Sequence, residues 1–577
     1  MIQLPKKGSA QLLDNKRFIH IKDWLARLVE ALTVEPMKAE IFKAGTKFQI
    51  GGCPGMRTVF HLFVVKSNIT MKLKMGQGVI MTFLDLVKFF DKQSLIDACD
   101  ALYNAEVNPK LFRCWYKLNM NTEIEVRTGA GDSARGLAGP VTGQGGGGAA
   151  MASALNLDKG VDRYFCDSTD EDCYGTVRLQ PLIYIDDLAR SSTDLNSVRA
   201  GNMKFASMAM EKQLQFHPKK SCFLVYGTEN FKARIQLEAE EEPVKLGENK
   251  LLEKTEEKYL GDVFSSKGLS ASIEATIKDR TAKIKGSIYE LRAVVEDFRM
   301  QAVGGLEAAI DIYESCIVPS LIANCATWMD IQKESEDRLD DLQDLFGRVL
   351  LKMPQSTPRL AIRGALGLLG CRFRVYQEKV LLIKAIKEQE DDCLAKEVLE
   401  EQVRMGWPGL ALEVQEICRV TGLPDITQRG INLDKMEIKE AMKVSHLMYL
   451  KEEMKGVKLE RMKNSDMRNR RSYTKWSVEM CRMAFRLESK QFDCRANMPN
   501  RYNRDLICRA CRPQRDQSKE QKEQEEQEEQ EDQEHLKLCP GYSELWAGLG
   551  PASEESRVKF FMRVQNKRMK QQQNNEN

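Results

Sequence analysis

The strongest chemical signal in the sequence is a set of three aspartates carried at the ends of two apolar runs. Asp186 and Asp187 follow one run, and Asp85 follows the run from 79 to 84, about a hundred residues earlier. Adjacent carboxylates repel one another and are costly to desolvate unless a cation binds them. Oxygen ligands on rigid backbone suit Mg²⁺. The pattern therefore predicts that Asp85, Asp186 and Asp187 hold two Mg²⁺ ions.

Each of these segments also has a purely structural interpretation. Aspartate favours turns, so Tyr184 to Asp187 taken alone is compatible with a simple hairpin. Asp85 taken alone is compatible with a capping residue. Two predicted strands that both end in carboxylates favour a catalytic metal site over these structural interpretations. Two metals held by three carboxylates can activate a hydroxyl and stabilise the pyrophosphate that leaves in an in-line displacement.

The order of short motifs along residues 1 to about 265 resembles the reverse transcriptases of non-LTR (LINE-like) retrotransposons. Phe83 to Asp91 resembles motif A of that family, and Tyr184 to Asp187 resembles motif C. The other matching segments are Leu4 to Gly8 with Asn15 to Arg17 and Gln49 to Arg57 (fingers), Gly143 to Gly145 (motif B), His217 to Ser221 (motif D) and Lys258 to Gly261 (motif E, the primer grip). The resemblance implies an RNA-directed DNA polymerase that extends a DNA 3′-hydroxyl on an RNA template.

The resemblance also implies individual roles. Asp85, Asp186 and Asp187 would be the metal ligands, and Lys220 would protonate the leaving pyrophosphate. Phe90 would be the steric gate that selects deoxynucleotides. The remaining substrate-binding residues that it implies are Lys6, Arg17, Arg57, Gln144, Gly145 and Tyr184. From residue type alone, Phe90 would be assigned to a core and Lys220 to the surface.

The sequence departs from the family pattern at two positions. Motif B has a glycine run where Ser-Pro commonly follows Gln-Gly, and motif A has Phe89 where a small residue is usual. Both departures leave the three aspartates unchanged. They bear on how substrate is positioned and not on the class of reaction.

A second possible metal site lies near the carboxyl end. Cys508 and Cys511 are followed after 23 residues by His535 and Cys539. Three cysteines and one histidine form the tetrahedral ligand set that Zn²⁺ prefers, and the set resembles the family's carboxyl-terminal knuckle. The alternative is two unrelated groups of reduced cysteines. The long spacer is a Glu/Gln tract that resembles an insertion, and loop entropy grows only slowly with length.

Charge is concentrated beside this site. Residues 451–515 contain 18 basic and 8 acidic side chains, whereas residues 516–534 contain 10 acidic and 2 basic ones. The basic segment also contains Tyr473, Trp476 and Tyr502. Such charges neutralise phosphates and such rings stack on bases, so the segment predicts nucleic-acid binding. The alternative is a solvated helix.

The predicted fold is α+β, a right-hand polymerase with fingers, an antiparallel-sheet palm and a helical thumb, followed by a helical region and a small zinc knuckle. The expected divisions are fingers and palm (1–265), thumb (266–400), a basic nucleic-acid-binding region (401–505), the knuckle (506–545) and a partly disordered tail (546–577). Predicted strands are Val79 to Asp85, Gln180 to Ile185 and Cys222 to Tyr226. Predicted helices are Ser272 to Phe298, Leu306 to Ile317, Glu336 to Lys352 and Gln377 to Glu390.

The remaining expectations concern partners and location. The amino terminus lacks a secretory signal and the uncharged stretch 136–157 is too rich in glycine for a membrane span. The 16 cysteines are expected to be mostly reduced and buried. The expected partners are an RNA template, a DNA primer or target and dNTPs, in the nucleus and cytoplasm. We expect either a fragment of a longer polyprotein or an element that uses a separate endonuclease.

Two other functions remain open on the sequence. One is a different class of reverse transcriptase, such as a group II intron maturase, against which the knuckle argues. The other is a decayed or domesticated nucleic-acid-binding protein without polymerase activity, against which the three intact aspartates argue.

Overall fold

The computed structural model describes residues 2–5, 16–19, 22–53, 55–120, 123–125, 127–128, 131–133, 136–137, 148–167, 172–296, 303–453, 455, 472–489, 536–537, 540–547, 549 and 553–576. In these ranges the chain is mixed α and β, mostly helical, with small sheets. The predicted α+β class is confirmed.

The strands are short. In chain order they are β1 (Ile2–Pro5), β2 (Lys16–Ile19), β3 (Val79–Leu84), β4 (Glu123–Ile124), β5 (Arg127–Thr128), β6 (Gly131–Asp132), β7 (Gly136–Leu137), β8 (Asp172–Tyr174), β9 (Val177–Leu179), β10 (Leu182–Tyr184), β11 (Asp187–Ser192), β12 (Cys222–Tyr226), β13 (Lys245–Leu246), β14 (Asn249–Lys250), β15 (Leu252–Glu253), β16 (Glu256–Tyr259) and β17 (Asp262–Ser265).

The central sheet has the order β10-β11-β3-β12-β15. β3 lies in its middle, antiparallel to both neighbours, and all six of its residues are buried. A continuous apolar run is what a strand covered on both faces requires. The strand predicted at Cys222 to Tyr226 is found with those bounds, and the one predicted from Val79 is a residue shorter. β10 is shorter than its predicted range because the chain turns at Ile185.

The helices account for most of the rest. They are α1 (Trp24–Ala44), α2 (Thr58–Lys74), α3 (Phe89–Lys92), α4 (Leu95–Asn104), α5 (Pro109–Asn119), α6 (Ala149–Phe165), α7 (Leu195–Glu211), α8 (Glu229–Glu241), α9 (Leu269–Glu296), α10 (Gly305–Ile312), α11 (Val318–Leu321), α12 (Lys333–Leu351), α13 (Arg359–Leu366), α14 (Cys371–Lys387), α15 (Leu394–Met405), α16 (Leu410–Thr421), α17 (Lys435–Glu453), α18 (Val478–Glu488) and α19 (Glu554–Glu576).

The predicted helices are found at three of the four positions, with shifted ends. The exception is the helix expected from Leu306 to Ile317, which is interrupted: α10 ends at Ile312 and a π-helical turn spans Tyr313–Ile317 before α11. Pro319 lies in α11 and has no N–H to donate to the preceding turn, which favours a local departure from α geometry.

The hydrophobic cores do not follow the linear divisions expected from the sequence. One core joins the apolar stripe of α9 and residues up to Val375 with Leu450 and parts of α18 and α19. Another joins α2 and the central sheet with residues from Val380 to Met442. The expected boundary at residue 400 therefore falls inside a core shared with the central sheet.

The carboxyl-terminal tail differs from the expected partial disorder, because α19 covers Glu554–Glu576. Val558, Phe560, Phe561 and Val564 are buried, and the Phe560 ring stacks on Trp546 at 4.3 Å between centroids. The composition of this helix is strongly polar on average, which hides its short apolar face from the sequence.

Two expectations about the whole chain can be compared with the described residues. All 12 cysteines there are free and 7 of them are buried, in agreement with reduced, buried thiols. No helix in the described ranges is both long and apolar enough to cross a membrane.

Candidate active site

The three aspartates are brought together by the register of the central sheet. β10 and β11 form a hairpin in which Tyr184 pairs with Asp187, leaving Ile185 and Asp186 as the two-residue turn. In the adjacent antiparallel strand, Leu84 pairs with Leu188. Because the two strands are antiparallel, the residue after Leu84 faces the residue before Leu188, and Asp85 lies beside Asp187. Sheet pairing thus brings motif A and motif C to one edge.

The turn that carries Asp186 has an unusual backbone. Ile185 has a φ of 62°, in the left-handed region that glycine usually occupies at the first central position of such a hairpin turn. For a β-branched residue this conformation costs roughly 1–3 kcal/mol and persists only where surrounding contacts enforce it. Strain of this kind concentrates at functional sites.

The electrostatics of the site are those of a negatively charged cluster. Burial, with the neighbouring charges of Asp186 and Asp85, raises the pKa of Asp187 to about 7, and Lys220 opposes the shift. The Lys220 ammonium lies 3.0 Å from Oδ2 of Asp85, and that lysine is largely exposed. A cation is therefore already recruited to one edge of the cluster.

Motif D positions Lys220 through backbone contacts with motif A. The N–H of His217 donates to the carbonyl of Asp85 at 2.7 Å, and the N–H of Asp85 donates to the Ser221 hydroxyl at 3.2 Å. Val87 also donates its N–H to the Gln215 carbonyl. Sequence reasoning gave no separate role to Ser221, a fully buried residue, because a lone serine in a basic turn carries no signal of its own.

Three other predicted site residues lie on elements around the hairpin. Tyr184 accepts a hydrogen bond from the Thr58 hydroxyl at 3.2 Å, at the start of α2. Arg57 directly precedes that helix and is exposed. Phe90 is half-buried in α3, with its ring 5.3 Å from that of Phe89. The structure thus places Tyr184 beside α2 and Phe90 five residues after Asp85.

The predicted primer grip lies on the hairpin formed by β16 and β17. The Tyr259 hydroxyl and His61 Nε2 are 2.9 Å apart, and both side chains are buried. Burial, with the charges of Asp187 and Asp186, raises the pKa of Tyr259 well above its ordinary value. Motif E therefore lies within electrostatic range of the Asp186 and Asp187 carboxylates.

Several predicted site residues fall outside the described part of the chain. They are Lys6, Gln144, Gly145, Cys508, Cys511, His535 and Cys539, together with the side chain of Arg17, whose backbone lies in β2. Most of the basic segment 451–515 is also outside it.

The donor set at the hairpin fits Mg²⁺ in its chemistry: it has three carboxylates, and burial together with the neighbouring carboxylates raises the pKa of one of them, Asp187. Among the described residues, however, no group of three or more His, Cys, Asp or Glu side chains is arranged to hold a metal ion as it stands. Lys220 lies against Oδ2 of Asp85, so this lysine and a metal ion would compete for that oxygen.

No protein-family profile and no curated protein matches the chain. Similar solved structures include apo telomerase from Candida tropicalis (8% identity, TM-score 0.32, covering 72% of this chain and 60% of that chain). Others are Candida albicans telomerase in complex with a TWJ fragment of telomeric RNA (11%, 0.29, 66% and 58%) and Candida tropicalis telomerase truncated from its C-terminal domain (8%, 0.29, 42% and 43%).

The chain therefore spans between 43% and 60% of the length of these telomerase chains. TM-scores near 0.3 do not establish a shared fold. The function is accordingly proposed from the residues of the site.

Proposed function

We propose that the protein is an RNA-directed DNA polymerase of the non-LTR retrotransposon type, which adds dNTPs to a DNA 3′-hydroxyl on an RNA template. The observation that carries the proposal is the strand register that sets Asp85 beside the Asp186-Asp187 hairpin. Carboxylates from two separate motifs then lie together at one end of the strands of an antiparallel sheet. Polymerisation by this route needs such a cluster to bind metal and triphosphate together.

In this function Asp85, Asp186 and Asp187 would hold two Mg²⁺ ions, which when bound supply charge neutralisation and activate the primer hydroxyl. Lys220 would have two states. It would neutralise Asp85 in the metal-free site and turn to the leaving pyrophosphate in the loaded one, since its flexible, exposed side chain allows both.

Selection of the sugar and the grip on nucleic acid are assigned to other residues. Phe90 would exclude the ribose 2′-hydroxyl, and Arg57, with Lys6 and Arg17, would hold the triphosphate. Gln144, Gly145 and Tyr184 would contact the template and the nascent pair. A zinc knuckle of Cys508, Cys511, His535 and Cys539 would hold nucleic acid together with the basic segment 451–515.

Primer extension on an RNA template tests the proposal. Wild-type protein should extend an annealed DNA primer with dNTPs in Mg²⁺ and lose the activity in a chelator. Asp186→Asn should reduce the rate by orders of magnitude, because it removes a negative ligand and changes the volume of the side chain very little. Asp100→Asn is the matched control, since Asp100 is an exposed carboxylate on α4.

Extension that is equal in the Asp186→Asn and Asp100→Asn proteins would refute the assignment of the site. A wild-type protein that binds RNA but extends no primer under any metal would instead favour the nucleic-acid-binding function without polymerase activity.

A further inference from the structure

The turn between Tyr184 and Asp187 is held by a residue from a distant part of the chain. Gln49 is buried, with 6% of its surface exposed, and its side-chain amide contacts both backbone groups of Ile185. Its Oε1 accepts from the Ile185 N–H at 3.0 Å, and its Nε2 donates to the Ile185 carbonyl at 3.3 Å. One side chain thus satisfies both polar groups of the strained residue.

The backbone around Gln49 is fixed against the same hairpin. Gln49 forms a parallel bridge with Ile183, in which Ile50 donates to the Ile183 carbonyl at 3.1 Å and Ile183 donates to the Phe48 carbonyl at 2.9 Å. The Gln49 amide itself is further held by the N–H of Gly51 at 2.8 Å. The glutamine therefore has little freedom to leave the turn.

Gly51 closes the contact from the other side. A Cβ at this position would lie 2.3 Å from the Ile185 nitrogen and 2.8 Å from the Tyr184 carbonyl carbon. Both of those atoms are backbone, so a larger residue at position 51 would displace the turn. Only glycine permits this approach.

We propose that Gln49 is a positioning residue of the polymerase site, which holds Ile185 in its left-handed conformation and thereby sets the direction of the Asp186 carboxylate. This inference rests on the function proposed above. Asp186 directly follows Ile185, so a change in the Ile185 backbone would redirect Asp186 while the β10–β11 pairing kept Asp187 in place. The two carboxylates would then no longer point at a common cation.

The reasoning predicts a specific pattern in a Gln49→Met variant, whose side chain is similar in length and has no amide. Its kcat for single-nucleotide extension should fall on the order of 100-fold, the effect of misplacing a reacting group by about 1 Å. Its KM for dNTP should change much less. Mn²⁺ binding, measured from the free-ion EPR signal without substrate, should weaken together with kcat. Gly51→Ala should give the same pattern.

Gln402→Met is the matched control. Gln402 is also buried, and its amide likewise both accepts and donates, accepting from the Ala411 N–H and donating to the Tyr174 hydroxyl, away from the hairpin. It should lower the melting temperature about as much as Gln49→Met while leaving kcat and Mn²⁺ affinity unchanged.

Equal kcat and equal Mn²⁺ affinity in the folded Gln49→Met, Gly51→Ala and Gln402→Met proteins would overturn the inference. The two proposals fail separately. If the wild-type protein extends no primer, the proposed function is lost, whereas Mn²⁺ binding still decides whether Gln49 orders the carboxylates.

Discussion

A buried charge cluster between α2, β17 and α9 allows a quantitative test of the packing. The Asp262 carboxylate is 1% exposed and accepts from Lys66 at 2.5 Å, from Arg280 at 2.8 Å, from Asn324 at 3.2 Å and from Trp328 at 3.4 Å. Burial alone would raise the pKa of Asp262, but Lys66 and Arg280 lower it below its ordinary value. The folded state therefore favours the ionised form of Asp262.

Asp262→Asn should destabilise this junction by about 3–5 kcal/mol, because it leaves two buried cations without their counter-ion. Lys66→Met should lower the free energy of unfolding less, by about 1–3 kcal/mol. Asp262 keeps Arg280 as a neutralising partner, and only the hydrogen bonds of the Lys66 ammonium are lost. The order of the two costs follows from the cluster having two cations and one anion.

Hydrogen exchange of amides in α9 and β17 measures the local free energy of unfolding. Protection in Asp262→Asn should fall by roughly two to three and a half orders of magnitude, since every 1.4 kcal/mol is tenfold. In the double variant, Lys66→Met should raise protection relative to Asp262→Asn alone, the reverse of its effect in the wild type. A double variant less protected than either single variant would refute the assignment of these charges.

Three further predictions follow from other parts of the chain. Phe90→Val should increase incorporation of ribonucleotides in single-nucleotide extension, and an unchanged preference for dNTP over rNTP would remove Phe90 from that role. Cys511→Ser should lose zinc by elemental analysis and weaken RNA binding while leaving extension of a short primed template intact; wild-type protein without zinc would contradict this. Burial, together with Arg363 and Arg374, lowers the pKa of His446 from 6.5 to about 3. The free energy of unfolding should therefore be highest above pH 6.5 and fall toward pH 3, with a loss of about 2 kcal/mol at pH 5. His446→Gln should abolish this loss when urea denaturation is compared at pH 7 and pH 5.

The pH dependence of stability at His446 is set by which state of the chain binds the proton. The unfolded histidine takes up a proton as the pH falls below 6.5, whereas the folded one stays neutral until about pH 3. Acid therefore favours the unfolded chain. Equal loss of stability on acidification in His446→Gln and wild type would contradict this account.

The local elements and the chemical types of the site residues could be predicted from the sequence. The continuous apolar run at β3 and the strand at β12 were predictable because side-chain pattern and turn residues act over a few positions. The stripe of α9 was predictable for the same reason. The three aspartates could be named from their place at the ends of apolar runs.

The way in which those elements meet depends on contacts between distant parts of the chain. The sheet register that sets Asp85 beside Asp187 depends on pairing between strands about a hundred residues apart, which no local pattern encodes. The same holds for Gln49, whose amide meets Ile185 from 136 positions away. Linear order predicts a division at residue 400, yet residues from Val380 to Met442 share one core with α2 and the central sheet. Burial is a property of the assembled layers, and it becomes visible only when distant segments are brought into contact.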